Sequence, residues 1–162
     1  MKKKSLSGIY WIWVSVVVFL LDYYSKSLAL HTLKEYQPVV ITPFFNFTLA
    51  YNKGAAFSFL NGASGWQTWF FGTLAVIVSV GILIWMFRNT FKQYWINIAL
   101  ALIIGGALGN LFDRIYYGCV TDFIQVHAGH LYWPVFNLAD SAVCVGAVML
   151  ILDAFFKKKK TR

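Results

Sequence analysis

Charge is what this sequence has least of. Of its 162 residues only 6 are acidic; charged residues make up 12% and hydrophobic residues 59%, with 15 Phe and 7 Trp. A mean hydropathy of +0.63 at this length excludes an ordinary soluble domain and indicates a membrane protein. Cysteine is nearly absent. Cys119 and Cys144 lack the spacing of a metal or redox motif, and Cys144 falls within an apolar run. They read as unpaired small apolar residues in preference to a disulfide on the outer side. His127 and His130 in HAGH are loosely ligand-like, but an H-E-x-x-H pattern and a third ligand are missing, so they read as surface histidines with no metal. Internal repeats, low-complexity linkers and a second domain are also lacking, so residues 1–162 read as one domain.

What is present is length of apolar run. A bilayer core about 30 Å thick takes roughly 20 apolar residues per helix. Four stretches qualify, at about Ile9 to Leu28, Trp66 to Phe87, Trp95 to Ile115 and Asn137 to Phe156. The net charge of +8 does not point to nucleic acid, because the basic residues flank apolar runs in short clusters. Lys2, Lys3, Lys4, Arg88, Lys92, Lys157 to Lys160 and Arg162 fall at one set of helix ends, leaving Lys26, Lys34, Lys53 and Arg114 at the other. Positive-inside sorting therefore puts both termini in the cytoplasm, and all seven Trp residues lie near a boundary, where such rings settle. Lys2 to Lys4 before an apolar run imitates a secretory signal. No small-residue cleavage site follows, so the run reads as an uncleaved first helix.

With that orientation the scarce polar residues collect at the outer face. The first helix carries Asp22 and Lys26, four apart and able to pair, either as an anchor at the helix end or as part of a site. The outer segment 29–65 contains Phe45 to Asn52, which alternates like a strand with one greasy face. Gly54 permits a turn before Phe57, Phe59 and Leu60 restore apolar content. From local pattern alone a plain amphipathic cap is favoured over a sheet. The second helix is lipid-facing structure without chemistry. On the third, Ala101, Gly105 and Gly109 recur at the small-residue spacing that lets membrane helices approach closely. Asn110, Asp113 and Arg114 follow on one side of its last turns, with Arg114 expected to hold Asp113 ionised.

The outer connection 116–136 holds Asp122 among Val120, Phe123, Ile124 and Val126, an apolar and strand-like setting that disfavours its charge. Asn137, Asp140 and Cys144 are then predicted on one face of the fourth helix, with Asp140 about one turn below the outer surface. Asp153, beside Lys157, is at the far end. Asp122 and Asp140 leave and re-enter the bundle around one loop and can face each other across its mouth. Two facing carboxylates share a proton, so one can take a proton from water while the other polarises a carbonyl. A proton-coupled transporter or channel subunit is the competing class, weakened because the acids cluster at one face and leave no relay across the membrane. A non-enzymatic scaffold leaves Asp122 and Asp140 without a reason. A presenilin-like protease would carry a G-x-G-D block, which is absent.

The ordered blocks DYYSK (from Asp22), YNKGAAFSFL (from Tyr51), GGALGNLFDR (from Gly105), VTDFI (from Val120) and FNLADS (from Phe136) closely resemble the lipoprotein signal peptidases, the type II signal peptidases of bacterial plasma membranes. The resemblance spans essentially the whole chain. It implies a membrane all-α bundle of four transmembrane helices with a small extracytoplasmic β-cradle and a short interfacial helix. It implies an aspartyl endopeptidase of the inner membrane that cleaves diacylglyceryl prolipoproteins before the lipidated Cys. Asp122 and Asp140 would be the catalytic dyad; Asn52, Gly54, Asn110, Arg114 and Asn137 would line the substrate site; Asp22, Lys26 and Asp113 would support it. No cofactor or nucleic acid is implied, the partners are prolipoprotein and membrane lipid, and the chain is expected to act as a monomer. Tyr23 departs from the Gln usual after the first Asp, and a local hydrogen bond of that Gln is not expected here.

Overall fold

A computed structural model describes residues 6–54 and 66–160, the last four without their side chains. A 3₁₀ turn, Gly8–Trp11, leads into α1 (Ile12–Thr32); α2 (Trp66–Arg88), α3 (Tyr94–Tyr117) and α4 (Leu138–Lys160) follow. All four helices are long and apolar enough to cross a membrane. Each lies within a few residues of the stretch expected from hydropathy. The central helix is α3, half of whose apolar window is buried against the other three; the windows of α1, α2 and α4 are at most 17% buried. Large apolar side chains such as Leu21, Ile77, Phe87 and Phe155 accordingly project outward, where lipid replaces protein as their solvent.

The small-residue spacing of α3 does what close packing requires. Ser15 Oγ donates to Ala101 O across 2.7 Å, and a Cβ on Gly109 would lie 2.5 Å from Asp22 Oδ2, so α1 approaches α3 to backbone distance along this stripe. At the end opposite the acids, Gly8 N donates to Asn89 O at 2.9 Å, and the fully buried Asn97 bonds Asn89 and Thr90, tying the start of α1 to the α2–α3 connection.

The strands β1 (Val39–Thr42), β2 (Phe45–Asn52), β3 (Val120–Ala128) and β4 (Leu131–Tyr132) make one antiparallel sheet in that order. The amphipathic cap favoured by local pattern is thus corrected to a sheet. The physical reason is non-local: β2 finds its partner in β3, beyond two helices, with Ala50 opposite Asp122 and Asn52 opposite Val120. Phe45 and Phe47 meet at 5.0 Å on the greasy face expected of this strand, and Phe47 reaches Phe123 of β3 at 6.3 Å. Gly118, at φ 73°, ends α3 in the left-handed conformation that turns the chain into β3, and so sets where Asp122 falls. The expected Phe57, Phe59 and Leu60 lie outside the described residues, and beside the sheet no short interfacial helix occurs among those described.

Candidate active site

The first turn of α4 begins the site. Asn137 precedes the helix, and its Oδ1 accepts the Asp140 N–H at 2.9 Å while Asp140 Oδ2 accepts the Asn137 N–H at 3.3 Å. This reciprocal capping satisfies helix donors that would otherwise be orphaned and anchors the Asp140 carboxylate at a helix N-terminus. With its oxygen so engaged, the Asn137 amide nitrogen points the other way, to Asp122 Oδ1 at 2.7 Å, Asn110 Oδ1 at 3.1 Å and Thr121 O at 3.3 Å. Asn137, among the residues the resemblance assigns to the substrate site, is fully buried between the two aspartates.

Asp122 is 2% exposed on β3. Burial, and then the nearby charge of Asp140, push its carboxyl up to about 7, against the opposing hydrogen bonds of Asn52 and Asn137. Asn52 itself is braced by the Gly54 N–H, which donates to its Oδ1 at 3.0 Å.

Behind Asp140 lies a buried ionic cluster. Asn110 Nδ2 donates to Asp140 Oδ1 at 2.7 Å, and Asn110 Oδ1 receives Lys26 Nζ at 3.0 Å. Lys26, 3% exposed, pairs with Asp22 at 2.7 Å and Asp113 at 3.1 Å, so its three N–H groups meet three acceptors. Backbone donors hold the acids: Ala139 N to Asp22 Oδ1 and Thr121 N to Asp113 Oδ2, both at 2.9 Å. Asp22, Lys26 and Asp113 are therefore continuous with the dyad rather than a separate anchor. The close ion pair of Asp113 is with Lys26, while the adjacent Arg114, expected to hold it ionised, acts on it only through longer-range charge. Consecutive helix residues project about 100° apart, so Asp113 faces α1 while Arg114 turns toward Gly54 O at 3.4 Å, Asn110 O at 3.2 Å and the Phe71 ring. From there its charge acts on Asp140 first and Asp122 next.

A cavity of about 350 Å³ reaches Asp122 and is also lined by Asn52, Tyr51, Gln125, Trp133 and Pro134 among others; Asp140 lies behind its wall, outside the lining. A larger one, about 650 Å³, lies alongside between Glu35, Lys53, Tyr117 and Cys119 and contains neither aspartate. Of these two cavities, the smaller one touches a carboxyl of the Asp122–Asp140 pair. Cys119 is a buried free thiol pushed up by burial and then by Asp113, a poor nucleophile. Cys144 is exposed and does not share the inward side of α4. His127 stacks on Tyr132 at 4.8 Å, and no cluster of His, Cys, Asp or Glu suited to a metal occurs among the described residues. Tyr23 packs on Phe112 at 5.5 Å, away from the carboxylates. Sequence reasoning missed Thr121 and Ala139, whose contribution is a backbone N–H that no residue type advertises; each adjoins a singled-out aspartate.

Comparison with known proteins agrees with this geometry. A family model described as Signal peptidase (SPase) II matches residues 14–156. The chain is 53% identical over 151 residues to the Lipoprotein signal peptidase of Pseudomonas aeruginosa, covering 92% of this chain and 89% of that protein. It is 47% identical over 149 residues to the Lipoprotein signal peptidase of Alteromonas mediterranea, covering 92% and 82%. Its fold matches a solved chain described as a bacterial membrane enzyme structure by the in meso method at 2.3 Å resolution, with TM-score 0.86, 27% identity and coverage of 98% and 95%.

Proposed function

The chain belongs to the signal peptidase II family, and from that premise we propose that it is a multi-pass inner-membrane aspartyl endopeptidase acting on diacylglyceryl prolipoproteins. The observation that carries the aspartyl mechanism is the Asn137 bridge: one buried amide holds Asp122 of the sheet and, through its backbone, Asp140 of α4. Water between the two gives a proton to the ionised carboxylate and attacks the carbonyl preceding the lipidated Cys, whose oxygen takes a hydrogen bond from the protonated carboxyl. The tetrahedral species then collapses. Its C–N bond breaks, and the Cys nitrogen takes up the proton first removed from water. Such paired proton transfers contribute about 10²- to 10⁴-fold each.

Helix direction and the distribution of basic residues favour cytoplasmic termini and an outer active site, where a lipidated substrate presents its cleavage point. At the opposite end the one carboxylate that a proton relay could use is the half-buried Asp153, and the buried polar hub among the described residues is the neutral Asn97.

The test is cleavage of a synthetic diacylglyceryl prolipoprotein by the purified protein. Cleavage is expected to survive chelator and serine-protease reagents and to vanish in Asp122→Asn and Asp140→Asn while both remain folded. Undiminished activity in the two variants would remove the mechanism.

A further inference from the structure

The three side-chain amides at the dyad, Asn52, Asn110 and Asn137, are each oriented by a group that can only donate. The Lys26 ammonium has no lone pair, so the atom of Asn110 that meets it at 3.0 Å is the amide oxygen, and the amide nitrogen must face Asp140 Oδ1 at 2.7 Å. The Asp140 backbone N–H fixes Asn137 in the same way and turns its nitrogen to Asp122 Oδ1. A donor aimed at a carboxyl oxygen excludes a proton there. On Asp140 both oxygens receive donors, and the side chain lies in the first turn of α4, where the helix dipole favours negative charge. On Asp122 no helix terminus stands behind the carboxyl. The amides of Asn52 and Asn137 donate to Asp122 as well, but it is 2% exposed on a strand whereas Asp140 is only half-buried, so burial disfavours charge most on Asp122. The charged groups facing the pair are Lys26 and Asp22 on α1 and Asp113 and Arg114 on α3; the Arg114 charge acts on Asp140 ahead of Asp122.

We infer, resting on the aspartyl mechanism proposed above, that Lys26 is a positioning residue acting through Asn110, which keeps Asp140 ionised as the general base and leaves the shared proton on Asp122 as the general acid. The ammonium never touches substrate. It selects which end of an amide faces the base, and so which carboxyl starts the reaction charged.

The pH profile of kcat/KM on a diacylglyceryl prolipoprotein peptide tests this, because its acid limb reports the base and its alkaline limb the acid of the free enzyme. Asn110→Asp keeps an acceptor for Lys26 but replaces the donor at Asp140 with a like charge. The acid limb is expected to move up by about one pH unit or more, with the alkaline limb in place. Movement of the alkaline limb alone would reverse the two roles and overturn the inference. A drop in rate with both limbs in place would also overturn it, leaving Lys26 and Asn110 a structural duty only.

A second measurement needs no turnover. In infrared spectra of the protein in lipid nanodiscs below neutral pH, a protonated-carboxyl band is expected to persist in Asp140→Asn and to be missing in Asp122→Asn, and the opposite pattern would overturn the assignment. Full cleavage by both of those variants would instead remove the aspartyl mechanism itself, a result distinguishable from either outcome above.

Discussion

Asn137 and Asp140 exchange hydrogen bonds across the first turn of α4, each side chain accepting the other's backbone N–H, at 2.9 and 3.3 Å. The same side chain that caps the helix also holds Asp122, so folding of the helix end and assembly of the dyad are one event.

Asn137→Ala should therefore damage both. Loss of the cap removes about 1 kcal/mol, and the acceptors on Asp122 and Asn110 lose a buried donor, a further 1 to 3 kcal/mol or so. A displaced carboxyl lowers kcat about 100-fold. Thermal unfolding and steady-state cleavage measure the two effects, and a variant with parental stability and rate would contradict the bridging role.

Asp122→Asn should stabilise the protein while inactivating it. The Asp122 carboxyl titrates near 3.8 when unfolded and at about 7 in the fold. Between these values the unfolded chain has already released a proton that the folded chain retains, so stability falls as pH rises and the loss is complete above about 7. The gap corresponds to roughly 4 kcal/mol. Denaturation in mild detergent should show Asp122→Asn more stable than the parent at alkaline pH, with the difference shrinking as the pH falls toward 4 or so. An advantage that grows on acidification would carry the wrong sign.

Lys26→Met leaves Asp22 and Asp113 buried without their common partner. Removing one member of a buried ionic cluster costs about 3 to 5 kcal/mol. Adding Asp113→Asn in the Lys26→Met background should recover part of that loss, because one of the stranded charges is gone. Melting temperatures of the single and double variants decide it, and a double variant no more stable than the single would count against the cluster as drawn.

Gly109→Ala places a methyl group 2.5 Å from Asp22 Oδ2 and 3.4 Å from Ala139 Cβ, between α1 and α4. Overpacking of this kind costs about 1 to 3 kcal/mol and should lower activity by shifting Asp22 off Lys26. Gly81, on α2, has nothing within 4 Å of the same methyl position. Gly81→Ala should be neutral or stabilising by up to about 1 kcal/mol. Equal effects of the two alanines would show that α3 and α1 are not in close contact at Gly109.

Much of this molecule was written in local pattern. The four spans followed from apolar length, a property of consecutive residues; the alternation of Phe45–Asn52 was equally visible, but not that it belongs to a sheet. The gathering of Asp22, Asp113, Asp122 and Asp140 at one end followed from helix direction, since each span reverses the chain. Tertiary structure decided the rest. It paired β2 with a strand two helices away, gave Asp113 its contact ion pair in Lys26 and not in the adjacent Arg114, and buried Asn137 between the carboxylates. Periodicity tells which side of an element is apolar, but a hydrogen bond depends on an angle and a distance between groups remote in sequence. Those are settled only when α3, α4 and β3 are packed together.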